Sequence, residues 1–146
     1  MLLLLFETND GRYALDSQYI IEIIPLIRAK RIPAAPGYVA GMINYHGVPV
    51  PVLDLCVLEG GEACRPFYST RIILLCYPLD GEEKVVGLIA ERATDVIKCS
   101  DTDIRSSGIL VDKNSSLQIN ESGQEELVQL FDMSRMIPED IVRELF

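Results

Sequence analysis

The stretch RIPAAPGYVAGMINYHGVPVPVLDL, residues 31–55, decides the fold of this 146-residue chain. Its first part carries Pro33, Pro36, Gly37 and Gly41, so only a short helical turn fits there, beginning at Pro36. Asn44 and Gly47 then bracket a turn holding Tyr45 and His46, the only histidine in the chain. In VPVPVL the side chains of Val48, Val50 and Val52 share one face of a strand, while Pro49 and Pro51 remove two N–H donors from one lateral edge. That edge cannot pair normally, which puts the strand at a sheet margin or at a bulge near a rim. Asp54 closes the strand, where its carboxylate suits the backbone N–H groups of the following turn better than it suits chemistry.

The flanking segments are short β-rich runs separated by turn signals. LLLLFE (2–7) and RYALD (12–16) flank Asn9-Asp10-Gly11, whose Asp-Gly pair supplies the positive φ of a tight hairpin. IIEIIPLI (20–27) is rich in β-branched residues and interrupted by Pro25, so a strand there is an edge strand, bent or ended near that point. TRIILLCY (70–77) and KVVGLIAE (84–91) bracket Pro78-Leu79-Asp80-Gly81 as a second, longer hairpin, and ATDVIK (93–98) continues the meander. Residues 99–126 are rich in Ser, Asp, Asn and Glu, with candidate strands at 109–111 and near 117–119. LVQLFDM (127–133) reads as the last strand, and Pro138-Glu139-Asp140 opens a short amphipathic helix over IVRELF. This pattern predicts an all-β-dominated fold, barrel or sandwich, with short helices rather than a layered βαβ fold. The two hairpin-led halves suggest a pair of small barrels sharing one core.

A chain of this length is most economically one domain, residues 1–146, able to bury a genuine core. Thirteen basic against twenty-two acidic residues leave a net charge of −9, which opposes extended contact with nucleic acid or anionic lipid. The opening MLLLLF lacks a basic n-region, ends at Glu7 and is followed by no small-residue cleavage site, so it reads as a buried strand rather than a signal sequence. No apolar run approaches the roughly 20 residues of a membrane span. The expectation is a soluble, cytoplasmic protein with no direct membrane insertion. Cys56, Cys64, Cys76 and Cys99 form no C-x-x-C pair and have no neighbouring histidine, so they read as structural thiols of a reducing compartment, with no metal expected. There is no glycine-rich phosphate loop and no cofactor signal.

His46 invites a catalytic reading, because imidazole titrates near neutral pH and could serve a nearby Ser or Cys as base. No nucleophile elbow, H-E-x-x-H or telling carboxylate pair accompanies it, so the expectation is no enzyme. An exposed turn residue and a partner-contact residue remain equal alternatives. Glu22 is the sole charge in IIEIIP. On a strand it would share a face with Ile20 and Ile24 while Ile21 and Ile23 turn inward, keeping its carboxylate hydrated at a rim. It either blocks edge-to-edge aggregation or supplies a specificity charge beside an apolar groove, and the isoleucines favour the second. Arg28, Lys30 and Arg31 are the one basic cluster and read as a solvated loop.

Taken whole, RIPAAPGYVAGMINYHGVPVPVLDL resembles the signature of CheW-like chemotaxis adaptors: Ile32-Pro33, Pro36, Gly41, an Asn44-to-Gly47 turn, and the strand Val50-Pro51-Val52-Leu53-Asp54-Leu55. LLLLFETNDGRYALD is similar to the family's first hairpin, and IIEIIP to its Val-x-Glu-Ile stretch, with Glu22 in the place of the glutamate. KVVGLIAERATDVIK and ELVQLFDMSRMI extend the likeness over nearly the whole chain. The resemblance implies two intertwined five-stranded SH3-like barrels around a common core. It implies no catalysis and two partners, the regulatory domain of a CheA-type histidine kinase and the cytoplasmic tip of a methyl-accepting chemoreceptor. Ile20, Glu22, Ile24 and the Asn44-Tyr45-His46-Gly47 turn would border the receptor side. The turn carries His46 where the family usually has Arg, which replaces a permanently charged five-donor fork by an imidazole. Cys56 stands where a basic residue is common and Glu91 where the family favours Asp. These departures fit a specialised, surface-sensing branch of the family. The rival reading is a small-molecule-binding β-barrel regulatory module.

Overall fold

Strands β1 (Leu2–Thr8) and β2 (Gly11–Asp16) form the expected hairpin, in a register that runs from Thr8 opposite Gly11 to Leu3 opposite Asp16, but Gly11 is already part of β2 and does not take the positive φ expected of it. The structure, a computed structural model, describes residues 2–9, 11–98, 110–111, 114–121, 124–131, 137 and 139–145, so Asp10 at the hairpin tip lies outside it. The unbroken leucine run of β1 follows from burial on both faces. Leu4 and Phe6 enter one core cluster and Leu3 and Leu5 another, so neither face calls for polar residues.

After a 3-10 turn at Ser17–Tyr19 come β3 (Ile20–Pro25), β4 (Val39–Tyr45), β5 (Val48–Asp54) and the single-turn helix α1 (Leu55–Leu58). Strands β6 (Arg71–Leu79), β7 (Glu82–Lys98), β8 (Leu110–Val111), β9 (Asn114–Glu121) and β10 (Gln124–Leu130) follow, and helix α2 (Glu139–Leu145) closes the chain. The first half of β7 pairs antiparallel with β6 and parallel with β5, and its second half pairs antiparallel with β1. ATDVIK is therefore not a separate strand but the continuation of β7 past a bend at Arg92, whose φ is 49°. Across that bend the register with β1 slips from Leu5–Asp95 to Glu7–Glu91. Two five-stranded sets share β7, namely β3-β6-β7-β5-β4 and β7-β1-β2-β10-β9, and the first set is inserted in the chain between the strands of the second. The chain leaving β3 returns at Lys30 to exchange two backbone hydrogen bonds with Met42 of β4, at 2.7 and 2.8 Å.

Alternate residues of β6 and β7 divide the apolar interior. Ile73, Leu75, Val86 and Leu88 join Leu4, Phe6, Tyr13, Leu15 and Phe131 in a cluster between the two sets. Ile72, Leu74 and Ile89 join Ile43, Val50 and Val52 in the first set, and Leu3, Leu5, Ala14 and Val128 fill the second. Phe6 stacks on Tyr13 with centroids 5.8 Å apart, and both meet Phe131 edge-on.

Several expectations need correction. No helical turn forms at Pro36. Two successive tight turns occupy the segment instead, closed by Ala35 N–H to the Ile32 carbonyl at 3.4 Å and Val39 N–H to the Pro36 carbonyl at 3.0 Å. Pro33 precedes Ala34, which takes a positive φ of 61°. Strand β5 is not at a margin, since β4 flanks one side and β7 the other. Counting outward from the Tyr45–Val48 pair that closes the β4–β5 hairpin, Pro49 and Pro51 fall at pairs that exchange no backbone bonds with β4. Their missing donors face the other edge, where pairing with β7 begins only at Val52. The β6–β7 hairpin is shorter than expected: Pro78 pairs with Glu83 inside the strands, and Asp80 and Gly81, with φ of 52° and 79°, make a two-residue turn. In β3 a bulge between Ile20 and Glu22 leaves Ile21 unpaired and 42% exposed. The extra residue resets the alternation, so Ile20 packs with Ile23 on the shared core while Glu22 and Ile24 share the opposite face. The expected strands at 109–111 and 117–119 fall on β8 and β9, with Ile109 outside the described residues, as are Cys99, Asp132, Met133 and Pro138.

Helix α2 docks on the β6–β7 turn through Arg143, whose guanidinium donates to both Asp80 oxygens at 2.5 and 2.8 Å and to Glu139 at 2.6 Å. The Arg143 guanidinium holds the Asp80 carboxyl below its ordinary value. A depressed folded-state pKa makes this docking fully present above the ordinary carboxylate range and lost as pH falls through the lowered value. Asp80→Asn and Arg143→Ala should each loosen α2, and their combination should do no more than either alone, read as hydrogen exchange of the helix amides in a double-mutant cycle. A second prediction concerns Gly41, whose φ is 146° and where a Cβ would lie 2.3 Å from the Lys30 carbonyl oxygen. Gly41→Ala should cost about 2–4 kcal/mol by breaking the bridge to Lys30, whereas Gly11→Ala, with nothing within 4 Å, should change stability by less than about 0.5 kcal/mol. Denaturant unfolding of both variants checks this.

Candidate functional site

The β4–β5 hairpin turns on two residues, His46 and Gly47, with φ of 49° and 83°. Positive φ at both central positions is the turn that matches the twist of paired strands, and Asn44 fastens it by accepting the Gly47 N–H on its side-chain oxygen at 2.8 Å. His46 is exposed, and its ring stands edge-on to Tyr45 with centroids 4.4 Å apart. The Tyr45 hydroxyl donates to Glu22 Oε2 on β3. That bond, with burial and the carboxylate charge adding to it, raises the Tyr45 phenol above its ordinary value, so the hydroxyl stays protonated and donating at neutral pH.

The structure brings Glu22, Ile24 and the Asn44–Gly47 turn together along one margin of the first strand set. Ile24 and Tyr45 pack on the Ile43–Val50–Ile72 cluster, and the carboxylate sits at the solvent end of that face. Ile20 is not part of this grouping, because the bulge turns it toward the shared core. Pairing of Glu22 with Tyr45 escaped the reading of the sequence. Strands β3 and β4 are not hydrogen-bonded neighbours, so no local periodicity links residues 22 and 45. Val48, opposite Tyr45 and 54% exposed, also belongs to this margin and extends it with apolar surface.

The motif residues support this margin from behind. Asp54 caps α1, accepting Cys56 and Val57 N–H at 3.0 and 3.3 Å, and also binds the Cys64 N–H at 3.1 Å. Its own N–H bonds the Tyr38 carbonyl at 2.7 Å, which ties β5 to the second of the two tight turns. Pro51 is buried opposite Met42. Arg28, Lys30 and Arg31 are exposed and border an open groove with Ile32, Ala35 and Pro36. Around Asp54 the Cys56 and Cys64 thiols both stand above the ordinary cysteine value, burial being the main cause. No helix among the described residues is long and apolar enough to cross a membrane.

Comparison with known proteins bears on the same elements. The sequence model described as "CheW-like domain" matches residues 2–140. A chemotaxis protein CheW of Bacillus subtilis (strain 168) is 26% identical over 140 residues, which cover 94% of this chain and 87% of that protein. A chemotaxis protein CheW of Rhizobium meliloti (strain 1021) is 29% identical over 103 residues, 70% of this chain, and the match spans only 64% of that relative's length. The crystal structure of the scaffolding protein TtCheW from Thermoanaerobacter tengcongensis superposes with a TM-score of 0.73 at 20% identity, covering 90% of this chain and 84% of that one. That likeness carries the fold, and the match over residues 2–140 carries the family. The chain belongs to the CheW-like domain family.

Proposed function

We propose that this protein is a non-catalytic scaffold of a chemotaxis-type two-component pathway, coupling a methyl-accepting chemoreceptor to a CheA-type histidine kinase and so controlling autophosphorylation of the kinase. The observation that carries the proposal is the family match across residues 2–140, which includes every element that builds the Glu22–Tyr45 margin. An adaptor that holds both proteins raises their effective concentration, and a receptor conformation that binds it differently then biases the kinase. The chain acts as a single CheW-like domain in the cytoplasm.

The receptor-binding surface in this reading is the margin formed by Glu22, Ile24, Asn44, Tyr45, His46 and Gly47, with Ile20 supporting it from the core side. Three features favour it. Glu22 presents its remaining lone pairs to solvent, Val48 and Ile21 expose apolar surface beside it, and the two-residue turn holds His46 outward on a stiff backbone. With His46 in place of a guanidinium, the Glu22 side chain is partnered by the Tyr45 hydroxyl and is offered to a receptor cation.

Titration calorimetry against the isolated regulatory domain of the CheA-type kinase should give saturable one-to-one binding. A folded protein that binds neither this domain nor a receptor tip would overturn the adaptor reading. Glu22→Lys should abolish receptor-dependent control of the kinase while leaving kinase-domain binding and the thermal midpoint nearly unchanged, because the residue is exposed. A large fall in the midpoint would instead show that the charge serves folding. Tyr45→Phe should weaken receptor binding by about 3- to 10-fold, the worth of one hydrogen bond that orients a charged partner. Equal receptor affinity in Tyr45→Phe and the parent protein would dissociate the hydroxyl from recognition.

A further inference from the structure

The end of β5 gathers three metal-ligating side chains that the contacts of the proposed receptor margin do not use. Asp54 is the last residue of β5, Cys56 lies in α1, and Cys64 lies on the loop that follows. One carboxylate oxygen and the two sulfur atoms lie within 4.8 Å of one another. Cys56 is fully buried and Asp54 is 7% exposed, while Cys64 is only partly covered and opens the group to solvent.

The arrangement is held in place by the backbone. Cys64 donates its N–H to both Asp54 oxygens, at 3.3 and 3.1 Å, and its Sγ reaches the Ile89 carbonyl on β7 at 3.5 Å. The loop between the cysteines is fastened where Gly61 N–H meets the Cys56 carbonyl at 2.9 Å, and a Cβ at Gly61 would stand 2.5 Å from the Asn9 side chain. Seven residues separate the thiols, so the pair matches no short metal motif, and only the returning loop brings them together.

The group offers donors that suit a cation. Asp54 is a buried carboxylate that accepts backbone N–H groups and the Cys64 side chain, and among the described residues no Lys or Arg pairs with it. Thiolate donors select soft ions over Mg²⁺ or Ca²⁺. In a tetrahedral site with metal–sulfur bonds of about 2.3 Å, neighbouring donors stand about 3.8 Å apart, so donors already inside 4.8 Å need to draw in by roughly 1 Å.

We propose that Asp54, Cys56 and Cys64 bind one soft divalent cation, of the class of Zn²⁺ and Cd²⁺, through one carboxylate oxygen and two thiolates. Binding forms two metal–sulfur bonds and one metal–oxygen bond and breaks two S–H bonds. Both protons pass to solvent and no atom changes oxidation state. Three protein donors leave a fourth position for water. The bound ion clips the loop that carries Cys64 to the end of β5, beside its pairing with β7.

The test uses the full chain, reduced and freed of metal by chelation, titrated with Cd²⁺. The expected result is an ultraviolet thiolate-to-metal charge-transfer band that saturates at one ion per chain, with two protons released per ion and a rise in the thermal midpoint. Cys64→Ser should lose the band while keeping the circular dichroism and metal-free midpoint of the parent, and Cys76→Ser/Cys99→Ser should keep it. No saturable band in the parent, a band undiminished in Cys64→Ser, or a band lost in Cys76→Ser/Cys99→Ser would each overturn the site.

Discussion

Strand β7 hydrogen-bonds to β5, β6 and β1 along 17 residues, and the two strand sets exist as one body because that strand belongs to both. A strand of that length could not serve two curved sheets without changing direction. Arg92 supplies the change by taking a positive φ, at a local backbone cost that the pairing on either side outweighs. Because alternate residues of β6 and β7 face opposite ways, one set of side chains fills the first set and the other joins β1 and β2 in the core between the sets. Neither set could keep its half of that shared core dry alone.

The same constraint explains where surface is left for partners. The chain leaving β3 reaches β4 through the Lys30–Met42 bridge and must pass close over it to do so, which is why only glycine fits at position 41. At the end of β4 the hairpin closes in a turn of two residues, and the Tyr45 hydroxyl beside it donates to Glu22 of β3. An edge strand interrupted by proline and a bulge, faced by a hairpin tip, combines exposed apolar side chains with a fixed charge. This is the margin to which the proposed receptor contact is assigned.

Much of this was readable from the residues. Asp-Gly and the β-branched runs located the hairpins, Pro25 ended β3, the acids after position 138 opened α2, and residues 31–55 carried the likeness to the CheW-like family that the match over residues 2–140 bears out. These are local effects of backbone sterics and side-chain period, and they need no knowledge of neighbours in space. Two misreadings were local, at the Pro36 turn and the Asp80-Gly81 turn, and the others came where a neighbour intervened. One extra residue in β3 exchanged the faces of Ile20 and Ile21, and a residue beside Pro51 found a second partner strand in β7 that periodicity alone could not supply.

The amino-acid sequence by itself determined the strand-dominated class and the family, because those depend on φ/ψ preferences and apolar spacing within a few residues. Only the tertiary structure decided that Glu22 meets Tyr45 across strands that do not pair, and that Cys56 and Cys64 converge on the Asp54 carboxylate. Such meetings depend on how a shared strand bends and how a loop returns. Both are set by the packing of side chains far apart in the chain, which no pattern along it encodes.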